Sequence, residues 1–133
     1  MIDKQSIIDY LIKVKDLLRA GWCKKSFALK KGQICNIHED ADQYCLVGAI
    51  YHSIAANDRT WRIAAAILTN MHMYGKIGDM QETIYDLQVL IAFNDLAEHE
   101  LEVISLIDRT ILELEKDAVH ESGTCQICDG LSA

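Results

Sequence analysis

The chain predicts a mainly α fold: a compact five-helix domain with a small β-hairpin after helix one. Three observations carry this. Apolar residues recur at helical spacing in five separate stretches, the 133 residues include no proline, and alternating β-branched runs are few. Half of the residues are hydrophobic and a quarter charged, the balance of an ordinary globular chain, and the length suits one domain with a single core.

Taken in order, Ile7, Ile8, Leu11, Ile12, Val14, Leu17 and Leu18 mark a first helix from Asp3, its N-cap, to Arg19, with Gly21 ending it. After Gly21-Trp22-Cys23, the stretches Ser26–Leu29 and Gln33–Cys35 read as two short strands around a Lys30-Lys31-Gly32 turn. A second helix is expected from Asp40 to Ala56, ended by Asn57-Asp58. A third, capped by Asp58 or Thr60, carries Trp61, Ile63, Ala64, Ala65, Ile67 and Leu68 and stops before Gly75. Gly75–Asp79 connects to a fourth helix, Glu82–Phe93, with Ile84, Leu87, Leu90 and Ile91 inward, and Asn94-Asp95 punctuates it. A fifth runs from Glu98 to Asp117 with Leu101, Ile104, Ile107, Ile111 and Leu114 inward and an acidic first turn that complements the helix dipole. Residues 1–118 form the domain and 119–133 a cysteine-bearing tail; no internal repeat is present.

The helices are expected to gather around helix two and its stretch Tyr44–Ile50. The Gly48-Ala49 pair has almost no side chain, so a neighbouring helix can come close. Cys45 falls near the helix start, where backbone N–H groups and the dipole favour a thiolate. The stretch is either a packing centre or a reactive site, and packing is favoured because no catalytic partner is fixed nearby in sequence.

Five cysteines, an odd number in a chain without a signal-peptide pattern, point to reduced thiols or a metal rather than a disulfide framework. No apolar run approaches the roughly 20 residues that span a bilayer, and a cytoplasmic setting is expected. A net charge of −7 argues against general nucleic-acid binding. The charge is uneven: residues 1–31 hold eight Lys/Arg and three Asp/Glu, the rest five and seventeen. That asymmetry suggests a charged partner or a homodimer, set against the plainer reading of solvated helix faces.

Four sets of residues are candidates for chemistry. Cys35-Asn36-Ile37-His38 and Cys125-Gln126-Ile127-Cys128 are ligand pairs with knuckle spacing; together Cys35, His38, Cys125 and Cys128 offer a Cys3His zinc site, with His120 spare. Otherwise no cofactor is expected. Cys45 is a candidate nucleophile if His72 or His99 serves as base and Asn94 or Asp95 orients it; a small buried core residue is the competing reading. Asn94-Asp95 is most simply a local cap and turn, and alternatively a polar contact to Trp22 or a ligand. Trp22 beside Lys24 and Lys25 either stacks a nucleotide-like ligand or covers the core edge where helix one ends. No phosphate loop, metalloprotease motif, nucleophile elbow or dinucleotide fingerprint occurs.

Gly21-Trp22-Cys23, Cys45-Leu46-Val47-Gly48-Ala49-Ile50 and Phe93-Asn94-Asp95, followed by Val103, Leu106 and Ile107, stand in an order that resembles a family of small bacterial and phage domains of unknown function. That family is marked by Gly-Trp-Cys, Cys-x-x-Gly-Ala and Trp-Asn-Asp, and the resemblance covers residues 5–115. Phe93 replaces its usual tryptophan, and the cysteine tail lies beyond it. The resemblance implies no activity. The expectation is a non-enzymatic interaction protein, phage or mobile-element encoded, that binds and modulates a host protein. The alternatives are a small-ligand, nucleotide-like binding domain using Trp22, Lys24, Lys25, Asn94 and Asp95, and, third, a cysteine-dependent enzyme.

Overall fold

The computed structural model describes residues 4–36, 40–53, 59–77 and 86–121, with side chains described as far as residue 116. Five helices and three short strands follow in the order α1 (Lys4–Ala20), β1 (Ala28–Lys30), β2 (Gln33–Ile34), β3 (Gln43–Tyr44), α2 (Leu46–His52), α3 (Thr60–Tyr74), α4 (Asp86–Leu96) and α5 (Glu100–Glu121). The domain is therefore mainly helical, as its apolar spacing predicts.

α1 buries one stripe, Ile7, Ile8, Tyr10, Leu11, Val14 and Leu18, while Ile12 falls off the stripe into solvent. That stripe packs against α5, α3, α2 and β3. Two side chains fasten it: the Tyr10 hydroxyl donates to the Ile50 carbonyl of α2, and Lys15 Nζ reaches Asp108 on α5 at 2.8 Å. The Gly21 N–H bonds back to Leu17 O, ending the helix where expected. Gly21 is glycine for a steric reason, since a Cβ there would lie 2.0 Å from Asp42 O.

The hairpin pairs Leu29 with Ile34 and Lys30 with Gln33. Its two-residue turn holds Lys31 at φ 52° and Gly32 at φ 80°, the pair of left-handed residues that matches strand twist. Asp42 Oδ2 accepts from Lys31 N at 2.8 Å and helps keep this lysine there. The sheet has a third strand that alternation does not reveal. β3 pairs antiparallel with β1, in the order β2-β1-β3, and Tyr44 also bridges Trp22 in parallel.

This third strand corrects the expected helix over 40–56. Asp42 N bonds to Leu29 O, Tyr44 N to Gly21 O and Cys45 N to Phe27 O, so residues 42–45 spend their donors on two neighbouring segments and the helix starts at Leu46. Of the expected end, residues 54–58 lie outside the described residues. α2 is short but its first five residues, Leu46–Ile50, are all buried. Gly48 does not receive a neighbouring helix as expected. The segment that comes close is the backbone of Phe27, whose carbonyl oxygen would sit 1.9 Å from a Cβ on Gly48.

α3 opens at Thr60 and closes on Gly75 at φ 73°, as expected, although its N-cap is Arg59, which makes no side-chain cap bond; Asp58 lies outside the described residues. α4 runs three residues past the expected stop at Phe93, and Ile84 lies outside the described residues. In α5 the buried side is Val103, Ile104, Leu106, Ile107, Thr110 and Leu114, whereas Leu101, expected inward, is 71% exposed. The carboxylate of Glu102 reaches back to the N–H groups of Glu98 and His99 at the start of this helix, which holds it below its usual pKa.

Candidate functional site

The start of α2 is where the distant stretches meet. Cys45, extended at φ −81° and ψ 174°, is its N-cap, and Sγ accepts from Gly48 N at 3.2 Å. Leu46 N donates to Asn94 Oδ1 at 3.0 Å, and Cys45 N to Phe27 O at 3.1 Å. Donors that a helix start leaves without internal partners are thus supplied by a thiol, a side chain from α4 and a carbonyl from the segment before β1.

Asn94 holds this junction together. It is fully buried, accepts from Trp22 Nε1 at 2.7 Å as well as from Leu46 N, and donates Nδ2 to Cys23 O at 3.1 Å. The expected local cap and turn at Asn94-Asp95 is overturned: both residues sit in the last turn of α4, and their bonds go to residues 48 to 72 positions away. A local reading favours short-range bonds because they cost little chain entropy. Here the tertiary fold supplies better ones. Asp95 Oδ1 accepts from Lys25 N at 2.7 Å and anchors Lys25 at φ 64°, a conformation uncommon for a residue with a side chain. Lys24 Nζ donates to Ala97 O at 2.7 Å and lies 6.0 Å from the centre of the Trp22 ring.

So Trp22, Cys23, Cys45, Leu46, Gly48, Asn94 and Asp95, taken from three separate stretches, form one bonded cluster around a buried asparagine. A family model matches residues 3–113. The chain belongs to DUF6197, a family of unknown function. No curated protein and no solved structure matches this DUF6197 member.

The cysteines of the cluster are poor nucleophiles. Burial pushes the Cys45 thiol up, against the lowering effect of the Gly48 and Val47 N–H groups, so the thiolate expected at a helix start is not favoured. Burial also pushes Cys23 up to about 12, with the nearby Cys45, Asp95 and Cys35 adding to it. No hydrogen bond among the described residues joins Cys45 to a histidine; His72 instead stacks on Phe93 with ring centres 4.6 Å apart. Among the three described cysteines of the native protein at neutral pH, iodoacetamide should modify half-buried Cys35 first and reach Cys23 and Cys45 only through unfolding. Peptide mapping by mass spectrometry reads this, and rapid native labelling of Cys45 would contradict it. The sign of the linkage also follows. The fold holds the Cys23 proton more tightly than the unfolded chain, so its contribution is whole below pH 9.0 and drains as pH rises toward about 12. Over that window the wild type should lose stability faster than Cys23→Ala in denaturant titrations.

Of the zinc candidates, Cys35 is half-buried beside β1, to whose Ala28 carbonyl its N–H donates, while His38, Cys125 and Cys128 lie outside the described residues. Among the described residues no group of three or more His, Cys, Asp or Glu side chains is placed to hold a metal. No helix among them is long and apolar enough to cross a membrane.

Beside the cluster opens a cleft of about 300 Å3, lined by Lys25, Ser26, Phe27, Ile34, Ile91 and Asp95, with Cys45 also in its wall. It lies between α4, which supplies Ile91 and Asp95, and the segment 25–27 with Ile34 of β2 beside it. Its rim is apolar and in solvent: Phe27 is 44% exposed and Ile34 79%. Sequence reasoning brought Lys25 and Asp95 here and missed Phe27, Ile34 and Ile91. The available signal was the period-two placement of Phe27 and Leu29, which read only as a strand.

Proposed function

We propose that this DUF6197 domain is a non-enzymatic interaction module that binds another protein through the cleft between α4 and the hairpin. The observation that carries the reading is the exposed pair Phe27 and Ile34 on the rim of a concave, mainly apolar surface. Large apolar side chains left in solvent around a concavity mark contact sites more often than isolated exposed ones do. The cluster behind the cleft supports the same view. Its thiols are protonated and its polar groups already bonded to one another, so it serves as a rigid wall.

A nucleotide-like ligand finds less here. The Trp22 N–H is committed to Asn94 and Lys24 to Ala97. The N–H groups of Leu46 and Gly48, which a phosphate would need, are occupied. Asp95 adds a carboxylate to the cleft wall. About 300 Å3 is at the small end of ligand sites, enough to seat an anchoring side chain.

A displayed random-peptide library tests the proposal. Selection on the folded domain should enrich peptides with a large apolar anchor, and their binding should be lost in Ile34→Glu, a surface change that leaves the unfolding midpoint within experimental error. Absence of enrichment, or a thermal shift with nucleotides that depends on Trp22, would overturn it.

A further inference from the structure

The cleft is apolar at its centre, but its hairpin side is positively charged. From Leu17 to Asn36 the chain has no Asp or Glu and five cations, Arg19, Lys24, Lys25, Lys30 and Lys31, in a protein of net charge −7. One of these lines the cleft, and a second stands in the hairpin turn that continues from Ile34. Lys25 lines the cleft directly, its backbone pinned by Asp95 so that the side chain starts from a fixed point on the rim. Lys31 sits in the hairpin turn, beyond the Leu29–Ile34 and Lys30–Gln33 pairs, with its backbone N–H held by Asp42. Both side chains are exposed; Lys24 is exposed too, but its ammonium is spent on Ala97 O. The one carboxylate in the wall, Asp95, lies on the α4 side and already accepts the Lys25 N–H.

Resting on the reading of this cleft as a protein-binding site, we propose that its occupant is an acidic linear peptide segment. A large apolar side chain of the segment enters between Phe27, Ile34 and Ile91, and its carboxylates run out along the hairpin to Lys25 and Lys31. The chemistry is complementary at each point. The apolar anchor removes the exposed Phe27 and Ile34 faces from water. The carboxylates meet the exposed ammonium groups of Lys25 and Lys31, whose neighbouring acids, Asp95 and Asp42, already accept backbone N–H groups. The charge pattern also orients the segment, because carboxylates placed over α4 would face Asp95. An acidic segment is repelled by the net acidic remainder of the chain and attracted to this basic hairpin, which gives the pairing its direction.

Three synthetic peptides with one shared Phe-Leu anchor, flanked on one side by glutamates, glutamines or lysines, test this by fluorescence anisotropy on the full chain. The glutamate peptide should bind about fivefold tighter than the glutamine peptide, the scale of a pair of exposed ion pairs. The lysine peptide should be weakest. The difference should shrink at high salt and in Lys25→Gln/Lys31→Gln, which removes no buried contact. Equal affinity for all three, still lost in Ile34→Glu, would overturn the acidic segment and leave the interaction site standing. If none binds, both readings fall. Concentration-dependent dimerisation abolished by Ile34→Glu would assign the cleft to a second copy of the chain and overturn the peptide occupant.

Discussion

Replacing Gly48 with alanine should destabilise the domain by roughly 3 kcal/mol and lower its melting temperature by roughly 10 °C, although alanine is the better helix former. A Cβ at this position would stand 1.9 Å from the Phe27 carbonyl oxygen and 2.8 Å from its carbon. Both are backbone atoms, so no side chain can swing aside. The hairpin would have to move off α2, stretching the Cys45 N to Phe27 O bond of 3.1 Å on which the segment before β1 rests. Intrinsic helix propensity works the other way by only about 1 kcal/mol and does not offset the clash. Chemical denaturation decides the matter. A Gly48→Ala variant as stable as the wild type would mean that the strand segment does not lie on this helix.

The second large effect belongs to Asn94. Its truncation to alanine leaves the Leu46 N–H, the Trp22 Nε1–H and the Cys23 carbonyl without their partners beside a buried junction. Unmet buried polar groups cost about 1–3 kcal/mol each, and partial entry of water reduces the total, so a loss of about 3–5 kcal/mol is expected. That is a large part of the stability of an ordinary domain. Trp22→Phe removes a single bond and should cost about 1–2 kcal/mol. The two changes share that bond, so the double variant should fall short of their sum by about 1 kcal/mol. Strict additivity would show that the indole and the amide do not pair.

These two residues also show where sequence reasoning succeeds and where it stops. The stripe on α1 and the glycine that closes α3 were legible, because helix periodicity and a left-handed C-cap are properties of neighbouring residues. β3 was not. Gln43 and Tyr44 have no strand pattern of their own and become a strand because Leu29 and Trp22 offer backbone partners from residues 14 and 22 positions away. Leu101 fits the helical spacing of α5 but faces solvent, since spacing defines a stripe without saying how wide a surface the neighbours cover. For Asn94-Asp95 a local cap is the favoured reading and a contact to Trp22 the alternative, and the bond that forms is the one from Trp22 to Asn94.

By itself the sequence determined the mainly helical class, a hairpin after the first helix, most of the apolar stripes and the three stretches worth watching. That Lys30 belongs to the strand and the turn is Lys31-Gly32 alone came from the strand pairing. Only the tertiary structure decided what those stretches do to one another. Gly48 was singled out as a place for close approach, but the identity of the approaching group, the Phe27 backbone, depends on strand pairing that no local pattern encodes. Cys45 was a candidate thiolate by its place at a helix start, and burial reversed that. The cleft could be seen only in three dimensions, because Phe27, Ile34 and Ile91 share no sequence spacing and meet only where the fold brings α4 and the hairpin segment to one cleft.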